Sequence, residues 1–487
     1  MFQKIIKKYN SLTPQIKATF WFFICSVLQR GISTITTPIF TRLLTTAEYG
    51  QYSVFNSWLT IVQIIVTLDL ARGMYVMGLV KFKQNERVFS SSLQGLNLTL
   101  CILWTIIYLL FHDFWNRLLT LTTVQMLAML VMIWAAAAFS FWSAAERNQF
   151  RYKALVIVTL IVSILKPVIG VFFVTHAEDK VTARILGLAL VEVVSYTAFF
   201  IIQMKRGKVF YSAEYWKYAV LFNLPLIPHY LAGSILSSSD RIMIQRLVGT
   251  SAAGIYSLAY SISLIMKMVN DSMSKTLNPW LYQQIAAKEF DKIARVIYLA
   301  LIFIAAANLG LIAIAPEVLK IFAPPQYYDA LYIIPPVAMS VYVQYLYLCF
   351  GPFEFYYEKR IWTTVSTFTS AAVNILLNFL LIPVFGYHAA GYTTLVCYSM
   401  NSILHYYFMR KVCKTYLDDV KPYDPKVLLA ISLAFMILGF MYIPLYKNIY
   451  LRYGFTLIIL GLIVINRNKF KPLLSEITKK RAGKAER

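Results

Sequence analysis

The sequence has few charged residues and fewer acidic ones. Charged side chains make up 14% of its 487 residues, and 22 Asp and Glu stand against 46 Lys and Arg. Hydrophobic residues make up 59%, and the mean hydropathy is +0.62. So little polar material cannot cover a water-soluble globule of this size. The composition therefore excludes a soluble globular protein and predicts an integral membrane protein.

Cysteine and nucleotide-binding signatures are scarce as well. The five cysteines are scattered through apolar runs, with no C-x-x-C pair and no histidine at metal-ligand spacing. We therefore expect no disulfide framework, no metal site and no cofactor. No G-x-x-x-x-G-K-[ST] segment occurs, which argues against nucleotide hydrolysis by this chain.

The basic start has no A-x-A cleavage site before the first long apolar run, so we expect it to be retained.

Long apolar runs dominate what is present. A bilayer-spanning helix needs about 20 apolar residues, and on that measure the sequence predicts about fourteen spans. They lie near 18–43, 52–76, 90–111, 118–144, 154–175, 184–204, 217–247, 251–272, 293–315, 330–352, 362–384, 388–409, 427–445 and 449–466.

The basic residues cluster in alternate loops between these spans. Most of the lysines and arginines fall on one side, whereas the loops on the other side are short and nearly neutral. This asymmetry predicts that both termini are cytoplasmic, with the basic tail from 467 to 487 resting on anionic lipid. Basic residues spread in this way argue against a nucleic-acid surface. The short outer loops leave no place for a catalytic domain, so we expect no enzyme.

One segment occurs twice. R-L-L-T-T-A-E-Y-G-Q-Y-S at 42–53 aligns without a gap with R-L-V-G-T-S-A-A-G-I-Y-S at 246–257, with six identities in twelve positions. Each copy stands between two apolar runs, as in a duplicated helix-loop-helix hairpin. The offset spans six helices, and an even number keeps both halves in the same orientation.

The duplication therefore predicts an all-α membrane fold with a parallel pseudo-two-fold repeat. Residues 1–210 form one six-helix lobe, 211–415 a second, and 416–487 an accessory helix pair with the basic tail. Two lobes facing one another are expected to enclose a cavity.

Charged residues within the spans are candidates for function, because an ionised side chain at the bilayer centre costs about 2.5–3.5 kcal/mol. Three couples of opposite charge are spaced so that they can meet, two on one helical face and one between neighbouring spans: Asp69 with Arg72, Lys267 with Asp271, and Lys166 with Glu192. For these couples both a structural ion pair and a coupling role stay open.

Arg30 differs from these couples. Its neighbours at three and four residues are Ser26, Val27, Ser33 and Thr34, none of them acidic. Twelve residues at about 1.5 Å each place it roughly 18 Å from the helix end, near the midplane. Two interpretations remain: Arg30 lines water and meets an anion that comes and goes, or it pairs with an acid of another helix.

The arginines indicate the chemistry of a substrate. A guanidinium matches phosphate oxygens two at a time, so a cationic cavity suggests a ligand with a phosphate or carboxylate head and an apolar tail. We predict that Arg30, Arg241, Lys166 and Arg72 line this cavity. Asp240 lies beside Arg241, which makes local structure an equal alternative there.

Two prolines fall within the seventh span. Pro225 and Pro228 each remove a backbone hydrogen bond. Either they make a static kink, or they form a hinge on which the lobes rock.

Three stretches are distinctive: T-P-I-F-T-R-L-L-T-T-A-E-Y-G-Q-Y-S after the first span, N-L-P-L-I-P-H followed by S-S-D-R-I-M-I in the seventh, and G-T-S-A-A-G-I-Y-S opening the eighth. With them the chain resembles, over nearly its whole length, the Wzx-type oligosaccharide flippases. These belong to the multidrug/oligosaccharidyl-lipid/polysaccharide exporter superfamily.

The resemblance implies a transporter of the bacterial cytoplasmic (inner) membrane. It would turn undecaprenyl-diphosphate-linked oligosaccharide to the outer leaflet by alternating access, for assembly of O-antigen, capsule or exopolysaccharide. Arg30 is the natural match to the cavity arginine of the first helix. A polysaccharide polymerase and a chain-length regulator are the protein partners expected.

Three other functions are alternatives to this one. A lipid II flippase and a cation-coupled multidrug exporter belong to the same superfamily. An exporter of cationic drugs is expected to present acids in its cavity, whereas Arg30 carries the opposite charge. A polysaccharide polymerase is expected to carry a long outer loop with catalytic side chains, and the sequence has no such loop.

Overall fold

The computed structural model describes residues 13–465, and that range contains helices and no strand. The predicted all-α fold is confirmed. The predicted basic tail, 467–487, and the start of the chain lie outside the described residues. By contact the chain divides into two compact units, residues 1–254 and 255–487.

The first unit contains ten helices in its described part and the start of an eleventh. They are α1 (Pro14–Leu43), α2 (Thr46–Thr67), α3 (Met74–Lys81), α4 (Glu86–Leu110), α5 (His112–Leu119), α6 (Thr123–Asn148), α7 (Lys153–Thr175), α8 (Lys180–Gly207), α9 (Ala213–Asn223), α10 (Ile227–Leu247) and α11 (Thr250–Ser263), which continues past the boundary. Helix α8 packs against α4, α6 and α7, α1 packs against α7, and α10 packs against α2.

The second unit is organised around one buried helix. Its described helices are α12 (Ile265–Ala286), α13 (Phe290–Ala313), α14 (Ala315–Phe322), α15 (Ile334–Tyr356), α16 (Arg360–Phe385), α17 (His388–Tyr416), α18 (Pro425–Leu445) and α19 (Ile449–Ile465). In α15, 83% of the most apolar window is buried, because α12, α13, α17 and α18 all pack against it.

The protein is a multi-pass membrane protein. Within residues 13–465, eleven helical segments are long and apolar enough to cross a membrane. They match eleven of the fourteen predicted spans. The other three predicted spans fall on α2, α17 and α19, which are helical but are more polar or shorter.

Three predicted spans are interrupted rather than continuous. The span predicted near 52–76 breaks between α2 and α3, where Leu68, Asp69 and Gly73 have positive φ angles. The seventh span passes through a 3₁₀ turn, Leu224–Leu226, and the eighth breaks at Leu264. Long apolar runs predict membrane crossing but not the local backbone angles within it.

Both copies of the repeated segment begin a helix at the aligned threonine. Thr45 caps α2 in a reciprocal capping box with Glu48, and the second copy begins α11 at Thr250. Capping of this kind satisfies backbone N–H groups that have no partner within the helix. The duplication thus places the same helix start in both copies.

Candidate functional site

Arg30 lies on a continuous helix. Helix α1 starts after the Thr13 cap and runs to Leu43 without interruption, although it contains Pro38. The helical rise used to estimate the depth of Arg30 therefore applies. Only 11% of the most apolar window of α1 is buried, and Arg30 itself is half-buried. A half-buried guanidinium on a lightly covered helix can reach a ligand.

Lys166 and Glu192 form an ion pair between α7 and α8. Their Nζ and Oε1 atoms are 2.6 Å apart, and the side chains are 30% and 11% exposed. The ring of Tyr196, one helical turn beyond Glu192, lies 5.8 Å from the ammonium. Because Glu192 already accepts from this cation, an anionic ligand would have to compete with the carboxylate for Lys166.

Asp69 and Arg72 also pair, but not on a helical face. The atoms Oδ2 and Nη1 are 3.5 Å apart, and both residues lie in the turn between α2 and α3. The predicted helical context was wrong, because Leu68 and Asp69 adopt positive φ angles. The turn leaves the Arg72 side chain 67% exposed.

This turn meets the interruption of the seventh span. Asn223 Nδ2 donates to the backbone oxygen of Leu68 at 3.1 Å. The guanidinium of Arg72 lies 4.9 Å from the centre of the Tyr230 ring, which faces it from the first turn of α10. Pro225 stands in the 3₁₀ turn and Pro228 in the first turn of α10. Two interrupted spans thus share hydrogen-bonding and cation–π contacts in the first unit.

Asp240 and Arg241 are adjacent on α10 but differ in exposure. Asp240 is 1% exposed, whereas Arg241 is half-buried and donates from Nη1 to the Ser237 carbonyl at 3.1 Å. Near the end of the same helix, Arg246 donates to the Leu118 carbonyl, and Thr120 donates to Gln245 at 3.0 Å. This end of α10 is therefore hydrogen-bonded to the last turn of α5 and to the segment that follows it.

Lys267 and Asp271 pair along α12 in the second unit. Their Nζ and Oδ1 atoms are 3.8 Å apart, and the side chains are 43% and 26% exposed. The predicted four-residue spacing on a helix is what the structure contains. A pair this open to its surroundings can exchange partners.

Sequence reasoning missed a buried arginine. Arg184, in the second turn of α8, is 8% exposed. Its guanidinium carbon lies 3.7 Å from the centre of the Phe40 ring and 3.4 Å from that of Tyr52. Stacking on two aromatic faces is a way to bury an arginine. The aromatic partners come from α1 and α2, so no local spacing could have indicated them.

The four predicted substrate-binding cations lie on four different elements of the first unit: Arg30 on α1, Arg72 in the turn after α2, Lys166 on α7 and Arg241 on α10. Arg72 and Lys166 each have a carboxylate within 4 Å. Guanidinium groups in a low-dielectric setting bind phosphate oxygens through charge-assisted hydrogen bonds. Among the described residues, no group of three or more His, Cys, Asp or Glu side chains could hold a metal ion.

One protein-family model and several solved structures are similar to this chain. A family model described as polysaccharide biosynthesis protein matches residues 16–285. No sequence among the curated proteins is similar at a significant level.

Solved structures share the fold at low sequence identity. The lipid II flippase MurJ in an inward closed conformation is 13% identical, with a TM-score of 0.71, over 94% of this chain and all of that one. An inward-facing MATE multidrug transporter is 13% identical, with a TM-score of 0.59, over 80% and 96% of the two chains. A transporter from Pyrococcus furiosus, described as having a binding pocket of reversed polarity, is 15% identical, with a TM-score of 0.55, over 82% and 95%.

Proposed function

The chain belongs to the polysaccharide biosynthesis protein family, and on that premise we propose that it is a flippase. Its substrate is an undecaprenyl-diphosphate-linked oligosaccharide, which it turns from the inner to the outer leaflet of the bacterial cytoplasmic membrane. It acts by alternating access during the assembly of O-antigen, capsule or exopolysaccharide. Both termini are cytoplasmic, and a polysaccharide polymerase with its chain-length regulator receives the product.

The observation that carries this proposal is the half-buried Arg30 on the continuous, lightly covered helix α1. A diphosphate offers several oxygens to a planar guanidinium fork. Arg72 and Arg241 add cationic groups on other elements of the same unit. The apolar polyprenyl tail stays in lipid, because moving it into water would expose a long hydrocarbon surface.

The proposed drive is electrical. With the cytoplasm negative, moving an anion outward is downhill by about 2.3 kcal/mol per charge per 100 mV. We propose that Pro225 and Pro228 act as the hinge, and the contacts of their span with the turn after α2 support this role. Because the Asn223 side chain donates a hydrogen bond to the Leu68 backbone oxygen, bending at the 3₁₀ turn would move both interrupted spans together.

The second candidate is transport of lipid II, which the similarity in fold to MurJ over 94% of the chain favours. A cation-coupled drug exporter is the third. The arginines of the first unit favour an anionic cargo over a cationic one.

A deletion strain tests the assignment. We expect loss of surface polysaccharide and accumulation of lipid-linked oligosaccharide in the inner leaflet, both reversed by a plasmid copy. Intact polysaccharide with accumulation of peptidoglycan precursors would favour lipid II. Intact polysaccharide with new drug sensitivity would overturn the flippase assignment.

A further inference from the structure

A carboxylate and an imidazole are buried side by side in the second unit. Glu354, near the end of α15, and His405, on α17, are 2.7 Å apart between Oε1 and Nδ1. Their side chains are 0% and 2% exposed. The second carboxylate oxygen accepts a hydrogen bond from the hydroxyl of Thr363, on α16, at 2.8 Å. Three helices therefore contribute to one titratable site that the proposed flipping does not use.

The far side of the imidazole is also enclosed. Its second nitrogen, Nε2, is buried and has no hydrogen-bond partner among the residues that the structure describes. The ring of Tyr347, on α15, stacks on the imidazole at 5.2 Å between centroids, with 19° between the planes. The pair is thus buried, with an aromatic ring stacked on the imidazole.

Charge balance restricts what such a site can hold. A net charge without compensation in a dry interior costs several kcal/mol, so buried groups remain in their neutral combinations. Carboxylate with imidazolium and carboxylic acid with imidazole are both neutral, and they contain the same number of protons. Either one differs by a single proton from the charged combination of carboxylate and neutral imidazole. The pair therefore holds one exchangeable proton while it is buried.

The site lies close to a more accessible ion pair. Asp271, on α12, is near enough to act electrostatically on Tyr347, and it pairs with Lys267. Both side chains are partly exposed. Tyr347 thus stacks on the imidazole and lies within electrostatic range of Asp271.

On the other helices packed against α15 the charged residues lie toward the helix ends, and α16 begins at Arg360, directly after Glu358 and Lys359. On α17 the next charged residue after His405 is Arg410, which forms an ion pair with Asp419. On α13 and α18 charged residues occur only in the first two turns: Asp291, Lys292 and Arg295 on α13, and Lys426 on α18.

We propose that Glu354 and His405 form a proton-binding site that couples flipping to proton entry. This inference rests on the proposed function. One proton from the outer side binds the pair, and it leaves to the cytoplasm when the site becomes hydrated in the course of the cycle. A proton moves inward as the anionic lipid moves outward. Sodium is a poorer candidate, because a hard cation requires several oxygen ligands and one partner of this carboxylate is an imidazole.

Infrared difference spectroscopy of the full chain in liposomes tests proton binding without any substrate. We expect a band of the protonated pair, either the carbonyl band of a carboxylic acid or the ring band of an imidazolium, to change with pH. Glu354→Gln removes this change, and His405→Gln alters it. Glu289→Gln is the matched control in the same unit, since Glu289 pairs with Lys292 and their side chains are 39% and 49% exposed, so no buried charge loses its partner. If neither site variant accumulates, a wild-type spectrum in which neither the carboxylic-acid band nor the imidazolium band changes with pH overturns the proposal.

A flipping assay tests coupling. The probe is undecaprenyl diphosphate with a fluorescent sugar, reconstituted with the full chain at zero membrane potential. For one proton per cycle, a gradient of one pH unit shifts the equilibrium distribution of the probe about tenfold. Glu354→Gln loses this shift, and Glu289→Gln keeps it. Wild-type flipping that ignores the gradient would overturn the coupling site and leave the flippase assignment standing. A titrating band removed by Glu354→Gln, in protein that does not flip the probe, supports the proton site and counts against the flippase assignment.

Discussion

Gly50 and Gly254 occupy the same position in the two copies of the repeated segment, and each lies directly against the other copy. A Cβ atom on Gly50 would be 2.0 Å from the backbone oxygen of Thr250, and one on Gly254 would be 2.0 Å from that of Thr46. Small residues spaced by four allow helix backbones to approach closely within a membrane. The duplicated segment therefore packs against its own copy.

Gly50→Ala is expected to destabilise the protein. The new methyl group would overlap a backbone oxygen, which cannot rotate away as a side chain can. Overpacking of this kind costs about 1–3 kcal/mol, so the midpoint of thermal unfolding of the purified protein falls.

Gly233→Ala is the matched control for this prediction. Gly233 lies within α10, and a Cβ atom there would have nothing within 4 Å. It gains up to about 1 kcal/mol of helix propensity. Equal unfolding midpoints for the two variants would show that the contact between the copies is not tight.

Arg184→Lys is expected to destabilise the first unit. An ammonium cannot stack as a plane between Phe40 and Tyr52, which face the guanidinium at 3.7 and 3.4 Å. The loss is about 1–2 kcal/mol for a desolvated cation–π contact. Arg147→Lys is the control, since Arg147 is exposed and lies 5.2 Å from one ring, Phe22. Thermal unfolding in detergent measures both, and equal midpoints would contradict the prediction.

Variants of Lys166 and Glu192 distinguish a structural role of this ion pair from a functional one. Lys166→Met leaves a carboxylate that is only 11% exposed without its ion-pair partner, which destabilises by about 3–5 kcal/mol. The double variant Lys166→Met, Glu192→Met removes both charges and is expected to recover membrane abundance.

Rescue of surface polysaccharide by that double variant identifies what the charges do. We expect partial rescue, because Arg30, Arg72 and Arg241 still supply positive charge. No rescue at normal abundance would place Lys166 among the essential groups. Failure to recover abundance would show that the two residues are not a self-contained ion pair.

Much of the fold could be predicted from the sequence. Apolar runs of membrane length fall on helices, and the repeated segment, predicted as a helix-loop-helix hairpin, contains a helix start in both copies. The interruptions at 68–73 and Leu264 could not be predicted. Leucine and aspartate also occur within continuous helices, so their presence does not indicate left-handed or turn angles. The proline interruption at 224–226 could be predicted, because proline carries its constraint in its own ring.

Some of the polar contacts could likewise be predicted from the sequence, and others could not. Couples spaced along one chain segment, such as Lys267 and Asp271, were visible as candidates. Arg184 with Phe40, and Glu354 with His405, were not visible, because their partners lie 144 and 51 residues away in the sequence. Such contacts depend on which helices become neighbours, and periodicity within one helix does not contain that information.

Replacement of Arg30 tests the central claim most directly. In the deletion strain, at equal membrane abundance, Arg30→Ala is expected to restore no surface polysaccharide and to leave lipid-linked oligosaccharide in the inner leaflet. Arg30→Lys restores part of it, because the charge remains while the bidentate fork is lost. Arg147→Ala, which removes an exposed cation outside the proposed site, restores it fully. Full rescue by Arg30→Ala would contradict the account.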